Sequence, residues 1–202
     1  MNKSRTSPTQ VKIEWQKIDT VLLDMDGTLL DKHFDDYFWE KYVPMIYAKH
    51  YSLSASEAEK RLLQKYKSVE STLQWTDLNY WTERLGLDVA QLKRDINHMI
   101  QVHDGVTPFL SFVRELGKDL HLVTNAHSKT LEIKLEQAEL APYFQSIICS
   151  EHIGEAKEQI AFWYKLEDHL HFDKHRTLFA DDTLKVLQSA EDYGIKHLLH
   201  IA

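Results

Sequence analysis

A parallel α/β sheet flanked by helices, interrupted once by an all-helical insertion, is the fold class the sequence predicts, and three observations predict it. Five short apolar runs are continuous rather than alternating: Thr20–Leu23, Asp119–Val123, Ser146–Cys149, Arg176–Ala180 and Lys196–Ile201. Successive strand side chains point to opposite faces, so a run that is apolar throughout is buried on both faces, as in parallel sheets. Helical segments separate the second to fifth runs, the alternation expected of βαβ units. Between about His33 and His103 there is no strand signal, only helical patterning.

The elements follow in order. The first run breaks at Asp24-Met25-Asp26-Gly27, a strand-to-loop turn. In the insertion, Ser54-Ala55-Ser56-Glu57 and Asp88-Val89-Ala90-Gln91 read as capping boxes, and Gly86 ends a helix over Asp77–Leu85. A helix over Pro108–Leu116 is predicted with Thr107 as its N-cap, Pro108 in the first position and Gly117 closing it. Leu131–Leu140 follows Ser128, and Lys157–Leu170 places Ile160, Trp163, Tyr164 and Leu166 at helical spacing. Thr183–Tyr193 runs into Gly194. The predicted organisation is a polar tail at 1–10, an α/β core at 11–32 and 104–202, and a helical insertion at 33–103 joined by short connections. Gly105, beside Asp104, is a candidate hinge.

Composition excludes several function classes. With 202 residues and 43% hydrophobic content the chain can bury a sizeable core. A net charge of -7 argues against attraction to nucleic acid or an anionic membrane, which draws on Lys and Arg. Cys149 is the single cysteine, so no internal disulfide is available, and the expected setting is reducing. No apolar run approaches a membrane span, and the opening ten residues lack a signal-peptide core. The expectation is a cytoplasmic protein without membrane or nucleic-acid partners; its oligomeric state is not encoded legibly.

In open parallel sheets, ligands bind at the carboxyl ends of the strands. Here those ends carry Asp24 and Asp26, Thr124 and Asn125, and Asp181 and Asp182, with Lys157 starting the helix after the third strand. Taken singly, each has a structural reading: an Asx turn, a helix cap, a solvated lysine. Together they would gather four carboxylates and one ammonium on one rim, which requires protons or a cation to offset them. A hard divalent ion with oxygen ligands, Mg2+ above all, matches that chemistry.

These segments resemble the haloacid dehalogenase (HAD) superfamily phosphatases. Val21-Leu22-Leu23-Asp24-Met25-Asp26-Gly27-Thr28 is similar to the first motif of that family, Leu122-Val123-Thr124-Asn125 to the second, Lys157 to the third and Phe179-Ala180-Asp181-Asp182 to the fourth. The resemblance implies a Rossmann-like parallel sheet with a C1 helical cap inserted at 33–103. Phe34–Trp39, Asn79–Glu83 and Thr124–His127 further resemble segments of the purine 5′-nucleotidases of the family that act on GMP and IMP. On this resemblance Asp24 is the nucleophile and Asp26 the general acid and base. Thr124, Asn125 and Lys157 hold the phosphoryl oxygens. Mg2+ would sit among Asp24, the Asp26 backbone carbonyl, and Asp181 or Asp182.

Half of the chain's aromatic residues fall between Phe34 and Trp81, most of them expected to be packing. Phe34, Tyr37 and Phe38 are the candidates for stacking on a purine because they follow the catalytic turn, and Asp35 or Asp36 for pairing with purine N–H groups. His127 is expected to reach substrate or to make a helix-start hydrogen bond. The expected partner is therefore a small phosphate ester, a nucleoside 5′-monophosphate first. Phosphoglycolate, a sugar phosphate or a phosphomutase reaction would use the same core residues, and a non-catalytic binding module is the reading from another class.

Overall fold

The computed structural model describes residues 12–69 and 72–202; the predicted tail at 1–10 and residue 11 of the predicted core lie outside the described residues. The five apolar runs form strands β1 (Thr20–Leu23), β2 (Asp119–Thr124), β3 (Ser146–Cys149), β4 (Thr177–Asp181) and β5 (His197–His200). They make one sheet in the order β3-β2-β1-β4-β5, with every neighbouring pair parallel. β1 is central and all four of its residues are buried. Alternation explains the continuous apolar pattern. Leu22, Val123 and Phe179 face one helical layer, whereas Val21, Leu23, Leu122 and Ala180 belong to the core on the other side.

Between β1 and β2 the chain is helical: α1 (His33–Tyr37), a π turn (Phe38–Tyr42), α2 (Val43–His50), α3 (Ala55–Lys67), α4 (Leu73–Thr76), α5 (Leu78–Leu85) and α6 (Val89–Asp95). The chain leaves and re-enters the sheet region by adjacent strands of backbone: Leu30 bridges Val102 antiparallel, Asp31 N–H donates to Gln101 O and His103 N–H donates to Leu29 O, both at 2.9 Å. Only half of each predicted capping box forms. Ser54 Oγ accepts from Glu57 N–H at 3.2 Å and Asp88 Oδ1 from Gln91 N–H at 3.0 Å, but Glu57 turns to Arg61 and Gln91 to Asp95.

The remaining helices are α7 (Val106–Glu115), α8 (Ser128–Ala138), α9 (Ser150–Ile153), α10 (Ile160–Leu170) and α11 (Leu184–Tyr193). α7 starts earlier than predicted, with left-handed Gly105 as its N-cap and Pro108 inside its first turn, where a missing N–H is also harmless. α10 starts later: Lys157 lies in the loop before it. Its buried face is Phe162, Trp163 and Leu166, while Ile160 and Tyr164, predicted on that face, are exposed. No helix among the described residues is long and apolar enough to cross a membrane.

Candidate active site

The register of the sheet brings the predicted residues together. Leu23 of β1 lies opposite Leu122 and Ala180, so Asp24, Thr124 and Asp181 leave three adjacent strands on one rim. Asp24 N–H donates to Ala180 O at 3.0 Å, which fixes the first residue beyond β1. The turn then depends on Gly27, whose φ is +86° and where a Cβ would stand 2.5 Å from Asp182 Oδ2. Any side chain here would push into the acidic group.

Lys157 crosses under this rim with only 2% of its side chain exposed. Its ammonium donates to Asp24 Oδ1 at 2.5 Å, Asp181 Oδ2 at 2.7 Å and Val123 O at 3.1 Å. The loop that carries it is held from two sides. Asn125 Oδ1 accepts from Lys157 N–H at 3.0 Å, and Trp163 Nε1–H donates to Lys157 O at 3.0 Å. The Asn125 side chain thus positions Lys157, a role the sequence did not reveal. Thr124 Oγ1 accepts from Ala126 N–H at 3.0 Å, leaving its own hydrogen available to a ligand.

Burial pushes the Asp24 carboxyl up to about 7 from 3.8; Lys157 opposes the shift, and Asp181 and Asp26 add to it. Burial likewise works against the Lys157 charge, but Asp24 and Asp181 outweigh it and hold the amine protonated. Asp24, Asp181 and Asp182 each offer an oxygen within 4.8 Å of the other two. That all-oxygen donor set fits Mg2+, and it includes both members of the pair between which the sequence could not choose. Lys32 forms an ion pair with Asp182 at its outer edge.

Asp26 is not part of this donor set and is held by a second charge network. Its Oδ1 accepts from Lys134 of α8 at 2.5 Å, and Lys134 also pairs with Asp35 of α1. Asp35 in turn accepts from Lys93 of α6 at 2.7 Å. Burial raises the Asp26 carboxyl, with Lys134 opposing. For Asp35, burial is outweighed by Lys134 and Lys93, so it lies well below the usual carboxylate range. Neither lysine was singled out from the sequence. The network also corrects an expectation: Asp35 and Asp36 both line the cleft, but the Asp35 carboxylate is taken by two ammonium groups and is not free to meet a purine.

Above the rim lies a cleft of about 920 Å³, lined at its floor by Asp24, Asp26, Thr124, Asn125, Lys157, Asp181 and Asp182. Its outer wall, contributed by the insertion, carries Trp39, Tyr66 and Trp75. The two indoles are near parallel (29°) with centroids 6.3 Å apart, and Tyr66 meets both edge-on at 5.7 Å. The residues expected to stack are placed otherwise. Phe34 and Phe38 are fully buried beneath the Lys93 ammonium, at 4.8 and 4.5 Å, and offer no face to a ligand. Tyr37 packs against Tyr42 and does not line the cleft. His127 caps α8, its Nδ1 accepting from Lys129 N–H at 3.3 Å, and its other nitrogen lies 3.3 Å from Asp77 and 3.4 Å from Glu151.

The family pattern of the haloacid dehalogenase-like hydrolases matches residues 18–194. The chain is 37% identical to the GMP/IMP nucleotidase YrfG of Escherichia coli (strain K12) over 191 residues, 95% of this chain and 86% of the relative. It is 32% identical to the pyrimidine 5′-nucleotidase YjjG of the same strain over 108 residues, 51% of this chain and 48% of the other. The crystal structure of a HAD phosphatase from Thermococcus onnurineus has the same fold, with a TM-score of 0.78 over 90% of this chain and 86% of that one at 22% identity.

Proposed function

This chain belongs to the haloacid dehalogenase-like hydrolases, and from that premise we propose that it is a Mg2+-dependent phosphomonoesterase of nucleoside 5′-monophosphates, purines favoured, working through an aspartyl-phosphate. The observation that carries the reading is the convergence of Asp24, Lys157 and Asp181 at the floor of a cleft whose far wall is aromatic. A charged floor suits a phosphate, and a half-buried aromatic wall suits a planar base. The similarity to a GMP/IMP nucleotidase over nearly the whole chain favours purines.

In this mechanism a carboxylate oxygen of Asp24 bonds to phosphorus as the bond from phosphorus to the 5′ oxygen breaks, and the leaving oxygen takes a proton from Asp26. Water then attacks the phosphorus, giving its proton to Asp26, and the bond to Asp24 breaks to release phosphate. Lys157 holds one oxygen of Asp24 at 2.5 Å, which orients the other toward substrate. The Thr124 hydroxyl and the Asn125 backbone N–H serve the phosphoryl oxygens. Asp24, Asp181, Asp182 and the Asp26 carbonyl would hold Mg2+, which would supply the positive charge that lets a phosphate approach these carboxylates. The insertion at 33–103 acts as the cap, with Gly105 at its return, and excludes bulk water when seated.

The test is phosphate release from GMP, IMP, a pyrimidine nucleotide, phosphoglycolate and a sugar phosphate, in Mg2+ and after EDTA. The purine nucleotides are expected to turn over fastest, EDTA to abolish release, and Asp24→Asn to lower it by at least about 10⁴-fold. Release that survives Asp24→Asn, or that no ester supports, overturns the reading.

A further inference from the structure

Four charged side chains form a chain between the sheet domain and the insertion, and the mechanism above uses only the first of them. Asp26 follows β1, Lys134 is in the middle of α8, Asp35 is in α1 and Lys93 is in α6. The two ammonium groups are each 2% exposed. Lys134 Nζ lies 2.5 Å from Asp26 and pairs directly with Asp35, whose second oxygen is 2.7 Å from Lys93. Aromatic faces enclose the lysines: Lys93 lies over Phe34 and Phe38, and Lys134 stands 5.5 Å from Phe34. Along the same seam Arg94 of α6 reaches Glu132 and Glu136 of α8, at 3.6 and 3.2 Å.

If this contact only fastened two helices, apolar side chains would do as well, because replacing buried ion pairs with packed hydrophobic residues is often neutral or stabilising. Buried charges are the costlier solution, and here they end on one oxygen of the carboxyl that must move a proton. A carboxyl acting as acid and base needs its orientation held, since small misplacements of a reacting group are expensive in rate. Lys134 is the group that holds it, and its other partner belongs to the insertion.

We propose that Lys134 is a positioning residue that fixes the Asp26 carboxyl for proton transfer and, through Asp35 and Lys93, links that geometry to the seating of the insertion. The proposal rests on the phosphomonoesterase reading. Its consequence is selective. From a nucleotide the nucleoside leaves as an alkoxide and needs the Asp26 proton, whereas from p-nitrophenyl phosphate the stabilised p-nitrophenolate leaves and needs it far less.

The experiment compares GMP and p-nitrophenyl phosphate turnover in Mg2+ for the wild type, Lys134→Gln, Lys134→Arg, Asp26→Asn and the Lys134→Gln/Asp26→Asn double variant. Lys134→Gln is expected to lower the ratio of GMP to p-nitrophenyl phosphate turnover by about tenfold or more, inside the range of general acid–base contributions. Lys134→Arg, which retains the charge, is expected to recover part of that ratio and also serves if the neutral variant does not fold. Adding Lys134→Gln to Asp26→Asn is expected to cost no further GMP turnover, because the residue it positions is already gone. Equal losses on both esters, or additive losses in the double variant, overturn the proposal and leave the phosphatase reading intact. A wild type inactive on both esters overturns the phosphatase reading and this proposal with it.

Discussion

Two lysines of this protein are buried to the same degree, and each sits between two carboxylates, yet their surroundings differ. Lys157 joins Asp24 and Asp181, which leave neighbouring strands of one sheet. Lys134 joins Asp26 to Asp35 and so spans the sheet domain and the helical insertion. The first pair of carboxylates cannot separate without breaking the ladder between β1 and β4. The second can, if the insertion moves. Lys157 therefore belongs to a charge cluster within one sheet, and Lys134 to a contact between the turn after β1 and the helices inserted between β1 and β2.

The sharpest way to break this contrast is to neutralise each lysine in turn. Lys157→Met leaves Asp24 and Asp181 buried and uncompensated, and is expected to destabilise the metal-free protein by about 3–5 kcal/mol, the usual result of breaking a buried pair. It should also lower GMP turnover by about 10²-fold or more, on the scale of losing one preorganised donor. Saturating Mg2+ is expected to restore much of the stability, because the ion would meet the same carboxylates. Lys134→Met should cost less, since Lys93 still holds Asp35, and Mg2+ should not restore it. Urea unfolding of the wild type and both variants, with and without Mg2+, measures the stability changes, and GMP turnover is assayed beside it. Equal rescue of both variants would erase the distinction.

The cluster within the sheet also has a pH signature of its own. The Asp24 carboxyl is pushed from 3.8 to about 7, by burial first, with Asp181 and Asp26 adding to it against Lys157. Between those two values the folded chain keeps a proton that the unfolded chain has released. The stabilising contribution of this group is thus complete below about 3.8 and is lost as pH rises through about 7. Compared with Asp24→Asn, which does not titrate, the metal-free wild type is expected to lose stability steadily between pH 4 and pH 7. Mg2+ should flatten that difference by holding the carboxylate ionised. A difference independent of pH in metal-free buffer would mean that Asp24 is not desolvated.

The same contrast explains which parts of the site were legible in the sequence. Asp24, Thr124 and Asp181 stand at strand ends, where topology alone brings distant residues together, so the order of strands and the residue types were enough. Lys134 was not legible. A lysine within a polar helical stretch reads as solvated, and Lys134 is enclosed by Asp26, Asp35 and Phe34, long-range contacts that no local periodicity encodes. Lys93 was hidden in the same way. Phe34 and Phe38 illustrate the converse error, in which closeness along the chain to the catalytic turn was taken for closeness to the ligand. Four residues apart on a helix, they share one face, and that face is the covered one. Trp39, one residue further round, reaches the cleft instead.

That turn of the helix yields the smallest of the expected effects. If the insertion contributes recognition while the sheet rim contributes chemistry, truncating the aromatic wall should weaken the response to the base and leave the phosphoryl step comparatively untouched. Trp39→Ala or Trp75→Ala is expected to lower kcat/KM for GMP about tenfold more than for p-nitrophenyl phosphate, within the roughly 1–3 kcal/mol that stacking one base on an aromatic side chain is worth. The loss should fall on KM rather than kcat, because a base contact made equally in ground and transition states affects binding alone. Phe38→Ala is the control for packing: its ring is fully buried, so its loss should appear in the unfolding midpoint and not as discrimination between the two esters. Were Phe38→Ala to discriminate and the two tryptophan variants not, the base would have to sit deeper in the insertion than the cleft allows, and recognition and seating could no longer be assigned to different residues.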